Sequence, residues 1–186
     1  MGHGVIQIEF FARRAVAVAP ELIGFKLVVG ETAGVIVETE AYELDDPASH
    51  SFSGPSRRNQ AMFGLAGHSY VYRSYGLHWC MNVVCNAGQA VLLRALQPVS
   101  GMATMAQRRG TQREQYLCSG PGKLTEALGI NNSHDGLPLD GTAINLVALT
   151  GHQVPIVQGP RIGITRAIDL PWRWGAAGSP WLSRKF

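Results

Sequence analysis

The sequence predicts a single domain of mixed α and β structure, and three observations support that prediction. The chain has 186 residues, a length at which folding buries roughly 70% of the unfolded surface, so a full hydrophobic core forms without disulfides. Hydrophobic residues make up 46% of the chain and charged residues 16%, which excludes intrinsic disorder of the whole. Short β-branched runs alternate with short helical segments without a repeat or a linker, so we expect one domain over residues 1–186.

The N-terminal third predicts a helix, two strands and a long irregular segment. Residues 10–24 have the composition of a helix. The β-branched runs 27–29 and 35–37 predict two strands that meet at a turn around Gly30. Residues 43–68 are polar and rich in turn formers, and such a long irregular stretch inside a domain is usually functional or mobile.

The remaining elements begin with an aromatic β-hairpin. Alternating aromatic residues over 69–85 predict two strands, with a tip at residues 73–76. The later segments are expected to form a buried strand at 90–96, helices at 102–109 and 123–128, and strands at 143–149 and 161–165. Ser119 is the expected cap of the second of these helices.

The distribution of charge indicates a polyanionic partner. Residues 31–50 contain six acids and no Lys or Arg, whereas residues 51–116 contain seven arginines and one acid. Of the 16 cationic residues in the chain, 13 are Arg, which suits bidentate contacts to phosphate better than Lys does. The net charge of +3 is compatible with nucleic-acid binding, and a solvated surface with scattered arginines is the alternative.

Several classes of protein are excluded or disfavoured. No apolar run approaches the roughly 18–20 residues needed to cross a bilayer, so we expect no membrane association. The three cysteines Cys80, Cys85 and Cys118 form no Cys-x-x-Cys pair, which favours buried thiols in the reducing cytoplasm. A zinc site formed by His78 with Cys80 and Cys85 is the less favoured alternative.

Two acids and an aromatic residue follow the second predicted strand. Alternate residues of a strand share a face, so Glu38, Glu40 and Tyr42 should project together while Thr39 faces the other way. The two carboxyl groups would be roughly 6–7 Å apart at the backbone, a spacing suited to inverting attack on a glycosidic carbon. An exposed strand edge with solvated acids is the alternative, and the spacing alone favours that alternative.

The tip of the predicted hairpin carries a second candidate. Tyr75 lies beside Arg73 and before Gly76, where its own hairpin cannot easily bury it. A flat ring on a rigid tip is suited to insertion between stacked bases. Tyr70 and Trp79, further along the strands, are expected in the core, because aromatic residues in strands are usually buried.

Eight short motifs together resemble a known family. In order along the chain they occupy residues 37–42, 48–51, 58–63, 70–76, 80–82, 92–96, 118–124 and 178–181. Their order and spacing resemble the alkyladenine DNA glycosylases, also called methylpurine DNA glycosylases, over nearly the whole chain. Each motif alone is weak, but the ordered set is highly specific.

The resemblance implies a fold and an activity. The fold is α+β, a single mixed domain with a curved, mainly antiparallel sheet, surrounding helices and a protruding β-hairpin. The activity is hydrolysis of the N-glycosidic bond of damaged purines such as 3-methyladenine, 7-methylguanine, hypoxanthine and ethenoadenine. The expected partner is double-stranded DNA that contains such purines, and the expected enzyme is a monomer without a cofactor, cytoplasmic and nucleoid-associated if bacterial. No lysine lies near the acidic motif, so we expect a monofunctional enzyme that leaves an intact abasic site.

The resemblance also implies roles for the residues that would form the active site. Glu40 corresponds to the general base that activates water. Tyr42, His50 and Tyr72 correspond to the aromatic walls around the flipped purine. Asn82 corresponds to the residue that excludes the amino group of guanine.

Three further residues are expected to contact DNA. Tyr75 corresponds to the residue that fills the gap in the duplex, and Leu77 replaces a Met of the mammalian relatives beside it. Arg94 corresponds to a residue at the rim that contacts the DNA backbone. The role of Glu38 stays open between a partner carboxylate and a structural hydrogen-bond acceptor. The donor that protonates a neutral leaving base is not identified.

Two other classes of function remain as alternatives. The first is a non-catalytic DNA-binding protein that uses the basic stretch and Tyr75. The second is a carbohydrate hydrolase that uses Glu38 and Glu40. Turnover of damaged DNA discriminates between these alternatives and a DNA glycosylase.

Overall fold

A curled antiparallel sheet of eight strands and four short α-helices make up the described part of the chain, residues 6–149 and 154–186 of a computed structural model. The strands are β1 (Lys26–Val29), β2 (Thr32–Tyr42), β3 (Ser69–Ser74), β4 (His78–Val84), β5 (Ala90–Ser100), β6 (Ile144–Val147), β7 (Ile156–Gly159) and β8 (Arg173–Ala176). The helices are α1 (Ile8–Phe11), α2 (Ala15–Glu21), α3 (Met102–Arg109) and α4 (Pro121–Leu128). No helix in this part of the chain is long and apolar enough to cross a membrane.

The predicted α+β class is confirmed, and three details of the prediction are wrong. The predicted helix over 10–24 is two helices, α1 and α2, because the backbone leaves helical geometry at Ala12. Gly120 rather than Ser119 is the N-cap of α4. Residues 161–165 are not a strand, and β7 and β8 lie on either side of them in the sequence. The single-domain expectation stays a prediction, and residues 1–5 and 150–153 lie outside the described part.

Strand β2 lies in the middle of the sheet. The strand order is β3-β4-β5-β2-β1-β6, and β8 also pairs with β2 and carries β7. Along one edge β2 pairs with β5, and along the other edge it pairs first with β1 and then, at residues 38–40, with β8. The stretch that contains Glu38 and Glu40 is therefore enclosed by strands on both sides, and the exposed strand edge favoured by spacing alone is wrong.

Three irregularities interrupt the pairing of β2 with β5, and two of them lie next to Glu38. Ile36 pairs with Leu96 and Glu38 with Ala95, so Val37 has no partner on β5. Thr39 pairs with Leu93, so Arg94 in turn has no partner on β2. Such bulges bend a strand and redirect a side chain, and they are frequent next to active sites.

The two faces of β2 have different environments. The Thr39 hydroxyl donates a hydrogen bond to the Ala19 carbonyl of α2, on the side where the main hydrophobic core lies. Helices α2 and α4 cover that core against β2, β4 and β5. Glu38 and Glu40 project to the opposite face, as the alternation along the strand predicts.

The hairpin of β3 and β4 ends in a tight turn. Ser74 pairs with His78, and the Leu77 amide donates to the Ser74 carbonyl, so Tyr75 and Gly76 are the central residues of the turn. Their φ angles are 51° and 68°. Positive φ at both central residues is typical of a type I′ turn, and it is uncommon for a residue other than glycine.

The three cysteines are buried and free. Burial raises the pKa of the Cys85 and Cys118 thiols to about 12 each, and it also raises the pKa of Cys80. The prediction of core thiols is therefore confirmed. Within the described residues, no group of three His, Cys, Asp or Glu side chains could hold a metal ion.

Candidate active site

A cavity of about 680 Å³ opens beside the hairpin, on the face of the sheet that carries the two acids. Its volume falls in the range of roughly 300–1,000 Å³ that is usual for small-molecule sites. The walls come from the hairpin, the loop 47–50 and the segment 162–166. Six of the eight residues predicted for the site line this cavity, namely Tyr42, His50, Tyr72, Tyr75, Asn82 and Arg94.

The aromatic walls form a connected group. The rings of His50 and Tyr72 meet edge to face, with their centroids 4.5 Å apart. Tyr70, which the sequence assigned to the core, is buried and also lines the cavity, and its hydroxyl lies 2.9 Å from Nδ1 of His50. Burial, and then the charge of Arg58, lowers the pKa of His50, so this imidazole is neutral at neutral pH.

Asn82 has a fixed orientation in the wall. Its side chain is almost fully buried, and Nδ2 donates a hydrogen bond to the Tyr70 carbonyl across the hairpin. Because Tyr70 is the cross-strand partner of Asn82, this bond reinforces the register of β3 and β4.

Glu40 lies directly beneath the cavity and is fully buried. Oε1 accepts a hydrogen bond of 2.7 Å from the Ile162 amide and lies 3.2 Å from Nη1 of Arg94. Oε2 accepts a hydrogen bond of 2.9 Å from the Tyr42 hydroxyl. All three partners line the cavity and Glu40 itself does not, so the carboxylate lies directly behind this part of the wall. We call the buried group of Glu38, Glu40 and Arg94 at this place the floor of the cavity.

Opposing influences act on the pKa of Glu40. Burial raises it, and the nearby Glu38 carboxylate raises it further. Arg94, the Ile162 amide and the Tyr42 hydroxyl lower it. Burial is the largest of these influences, so the pKa of Glu40 lies above its ordinary value.

Arg94 is placed differently from the prediction. Its side chain is only 8% exposed, and it lies between the two acids on the floor of the cavity instead of at the rim. The position follows from the bulge on β5, which leaves Arg94 unpaired in the ladder and directs its side chain to this face.

Arg161 is a residue of this region that the sequence analysis missed. Its guanidinium lies 4.7 Å from the centroid of the Tyr42 ring and 5.3 Å from that of Trp172. It forms a fully buried ion pair with Asp46 and donates to the Ala41 carbonyl. Because Arg161 does not line the cavity, it supports Tyr42 from the face that points away from it.

The rim is exposed and basic. Tyr75 is 86% exposed and Leu77 is 73% exposed at the tip of the hairpin. Three exposed arginines line the mouth of the cavity, Arg58, Arg73 and Arg166. Of these, only Arg73 was singled out from the sequence, as the neighbour of Tyr75.

Comparison with known proteins gives one consistent result. A family model described as methylpurine-DNA glycosylase matches residues 9–180. A relative from Nitrosospira multiformis is 54% identical over 179 residues, which cover 95% of this chain and 92% of the relative. A relative from Agrobacterium fabrum is 55% identical over 178 residues, which cover 96% of this chain and 92% of the relative. Both relatives carry the name "Putative 3-methyladenine DNA glycosylase". The similarity spans every residue that lines the cavity.

Proposed function

The chain belongs to the methylpurine-DNA glycosylase family, and we propose that it flips damaged purines out of duplex DNA and hydrolyses their N-glycosidic bond with water activated by Glu40. The family assigns the chain to the DNA glycosylases, which are hydrolases of DNA repair. The observation that carries the proposal is a buried carboxylate at the floor of a cavity with aromatic walls. The proposed substrates are 3-methyladenine, 7-methylguanine, hypoxanthine and ethenoadenine.

In this proposal the tip of the hairpin flips the base. A stacked base hides its glycosidic bond, and extruding it costs a few kcal/mol, least for a damaged or mispaired base. Tyr75 enters the vacated space, and Leu77 supports it on the same turn. The exposure of both side chains supports this role, as does the positive φ of Tyr75. Sparsely populated backbone conformations of this kind cluster at active sites and ligand-binding segments.

Recognition of the flipped base depends on Tyr42, His50 and Tyr72. A purine that is positively charged by alkylation stacks more strongly on aromatic rings than a neutral one, by roughly 0.5–2 kcal/mol. The lowered pKa of His50 supports this selection, because a neutral imidazole does not repel a cationic base. Asn82 excludes the amino group of guanine, since its bond to the Tyr70 carbonyl prevents it from turning aside.

The chemical step uses Glu40 in two ways. When the bond breaks, its electron pair leaves with the base, and the sugar acquires oxocarbenium character that the carboxylate stabilises electrostatically. A cationic alkylpurine departs as a neutral base, whereas hypoxanthine or ethenoadenine also takes up a proton from solvent. The same carboxylate takes a proton from the attacking water. Oε2 accepts one hydrogen bond within the described residues, and a carboxylate oxygen accepts two, so it retains capacity for that water. The pKa of Tyr42 is raised well above its usual value, so its hydroxyl keeps the proton that it donates to Glu40.

We extend the proposal to a monofunctional enzyme. A lyase step requires an amine that forms a Schiff base with the sugar. Lys26, Lys123 and Lys185 are the lysines of the chain, all three are described, and none of them lines the cavity. The proposed site needs no residue from a second copy, and we propose that the enzyme acts as a monomer. We place the enzyme with its DNA substrate in the cytoplasm, nucleoid-associated if bacterial.

The test is incubation of duplex DNA that contains one hypoxanthine or 3-methyladenine, followed by hot alkali, which cuts the strand at an abasic site. The proposal predicts a break at the lesion only after the alkali. A break before alkali would contradict the monofunctional mechanism. Intact DNA after long incubation would favour the non-catalytic binder, and sugar-dependent turnover without effect on DNA would favour the carbohydrate hydrolase.

A further inference from the structure

We propose that Glu38 is a positioning residue, which holds the guanidinium of Arg94 against Glu40. The proposal rests on the proposed function of Glu40 as the base. All three partners of Glu40 line the cavity, whereas of the three partners of Glu38 Arg94 does and Arg173 and Ser183 do not. Any effect of Glu38 on the reaction therefore passes through Arg94.

The contacts of Glu38 leave it no freedom to move. Oε1 accepts hydrogen bonds from Nε of Arg94 at 3.1 Å, Nη1 of Arg173 at 3.0 Å and Oγ of Ser183 at 2.9 Å. Oε2 accepts a bond of 2.6 Å from the Ser183 amide. The carboxylate is fully buried, and both of its oxygens accept hydrogen bonds. Oε2 of Glu38 bonds to Ser183, which does not line the cavity, whereas Oε2 of Glu40 bonds to Tyr42, which does. This difference supports a structural acceptor at Glu38.

The contacts of Arg94 show what Glu38 holds. Each nitrogen of the guanidinium has its own partner beneath the cavity. Nε donates to Glu38, Nη2 donates to Oγ of Ser183 at 3.3 Å, and Nη1 lies 3.2 Å from Oε1 of Glu40. Two of these three partners belong to the Glu38 cluster, because Ser183 is itself bound to Glu38.

The balance of charge indicates which side chain would move without Glu38. Arg94 and Arg173 are neutralised by Glu38 and Glu40, so loss of one acid leaves two buried arginines with one counter-charge. Arg173 keeps three backbone carbonyls as acceptors, those of Pro160, Arg184 and Lys185. Among residues 6–149 and 154–186, Arg94 keeps only Ser183 and Glu40 as partners, so Arg94 is the side chain that relaxes. Displacement of a catalytic group by about 1 Å costs about 100-fold in rate.

The displacement of Arg94 should also change the titration of Glu40. The groups that act on Glu40 are Glu38 and Tyr42 on its own strand, Arg94 on β5, and the Ile162 amide, with Tyr72 on β3 and Cys80 on β4 nearby. Arg94 contributes the largest influence that lowers the pKa of Glu40. A misplaced Arg94 therefore raises this pKa and moves the acid limb of the rate profile to higher pH.

Glu43→Gln is a matched control for Glu38→Gln. Glu43 is also buried, and it accepts hydrogen bonds from the Val16 amide and from Nε of Arg14. These partners lie at the start of α2, and within the described residues neither has a hydrogen bond or ion pair with Arg94 or Glu40. Loss of this carboxylate should therefore destabilise the fold without changing the chemical step.

The experiment measures single-turnover base release from hypoxanthine duplex as a function of pH, together with the Kd for the same DNA. For Glu38→Gln we expect a rate about 10- to 100-fold lower, a Kd within about twofold, and an acid limb at higher pH. Glu43→Gln should lower Tm as Glu38→Gln does, but it should keep the wild-type rate and the wild-type position of the acid limb. Ser183→Ala, which removes one anchor and leaves the carboxylate, should show a smaller rate loss of the same kind even if Glu38→Gln fails to fold.

Three results would overturn the proposal. They are a wild-type rate in both the Glu38 and the Ser183 variant, equal rate losses in the Glu38 and Glu43 variants, or an acid limb displaced to lower pH. The last would mean that Glu38 acts only as a repelling charge. Wild-type protein that releases no base would instead refute the proposed function, and this proposal with it.

Discussion

The floor of the cavity and the tip of the hairpin differ in burial, in charge and in the number of contacts that hold their side chains. Glu38, Glu40 and Arg94 are buried, charged and held by several partners each. Tyr75 and Leu77 are uncharged and mostly exposed. Charges stabilise a transition state best when the fold already holds them in position. A side chain that inserts into DNA must instead be exposed on the protein surface, so that it can move from water into the duplex. The proposed division is therefore chemistry at the floor and base flipping at the tip.

Glu40→Gln should have the largest effect on the chemical step at the floor. The substitution keeps the shape of the side chain and removes the proton acceptor, so we expect single-turnover base release to fall by about 10²- to 10⁴-fold. Binding to damaged duplex should stay within a few-fold of wild type. A near-normal rate would refute the role of Glu40.

The pH dependence of the wild-type rate gives the same test without a mutation. The pKa of Glu40 is raised above its usual value of 4.5. The base is active when ionised, so for a cationic lesion such as 3-methyladenine, which leaves without an added proton, the rate should rise with pH through that raised pKa and then level off. A rate that is constant through this range would contradict a carboxylate base at the floor.

The buried ion pair of Arg161 and Asp46 behind Tyr42 should contribute to the stability of the fold. Asp46→Asn leaves the buried Arg161 without its counter-charge, so we expect the free energy of unfolding to fall by about 3 kcal/mol. Glu21→Gln is the matched control, because its pair with Arg13 is exposed and should contribute less than about 1 kcal/mol. Denaturant unfolding of both variants checks the difference, and equal losses would contradict it.

Tyr75→Ala tests the other region. Loss of the ring should weaken the capture of flipped lesions by roughly 10- to 100-fold, since stacking contributes about 1–3 kcal/mol per base. Affinity for undamaged duplex should change much less. Ile156→Ala, an exposed apolar residue on β7 that does not line the cavity, should leave both affinities unchanged. Equal losses on damaged and plain DNA would argue against insertion of Tyr75.

The basic rim should give the smallest effect. Affinity for undamaged DNA should fall steeply with salt, through the release of counterions from neutralised phosphates. Arg166→Gln should reduce the slope of log K against log salt by about 1, while Arg14→Gln, away from the cavity, should leave it unchanged. Titrations at several salt concentrations measure the slope, and a flat salt response of the wild type would contradict phosphate contacts at the rim.

Features that depend on residues close together in the sequence could be predicted, and features that depend on distant residues could not. The hairpin and its tip depend on neighbouring residues, so the positions of Tyr75 and Gly76 follow from local pattern. The shared face of Glu38 and Glu40 follows from the period of a strand. Their burial does not, because β8 and β5 are distant in sequence.

Two site features had no local signal at all. Arg94 reaches the floor through a bulge that the apolar run of β5 does not reveal. Residues 161–165 have the composition of a strand, but Arg161 pairs with Asp46 and the Ile162 amide binds Glu40, 122 residues away in the sequence. Such long-range polar contacts override local propensity, so the predicted strand there is wrong.

The most direct test of the division is fluorescence of ethenoadenine in duplex DNA, followed by stopped flow and compared with base release. We expect Glu40→Gln to produce the full fluorescence change of base flipping without release of the base. Tyr75→Ala should instead reduce that change. Loss of the flipping signal in Glu40→Gln, or its full retention in Tyr75→Ala, would contradict the assignment of chemistry to the floor and flipping to the tip.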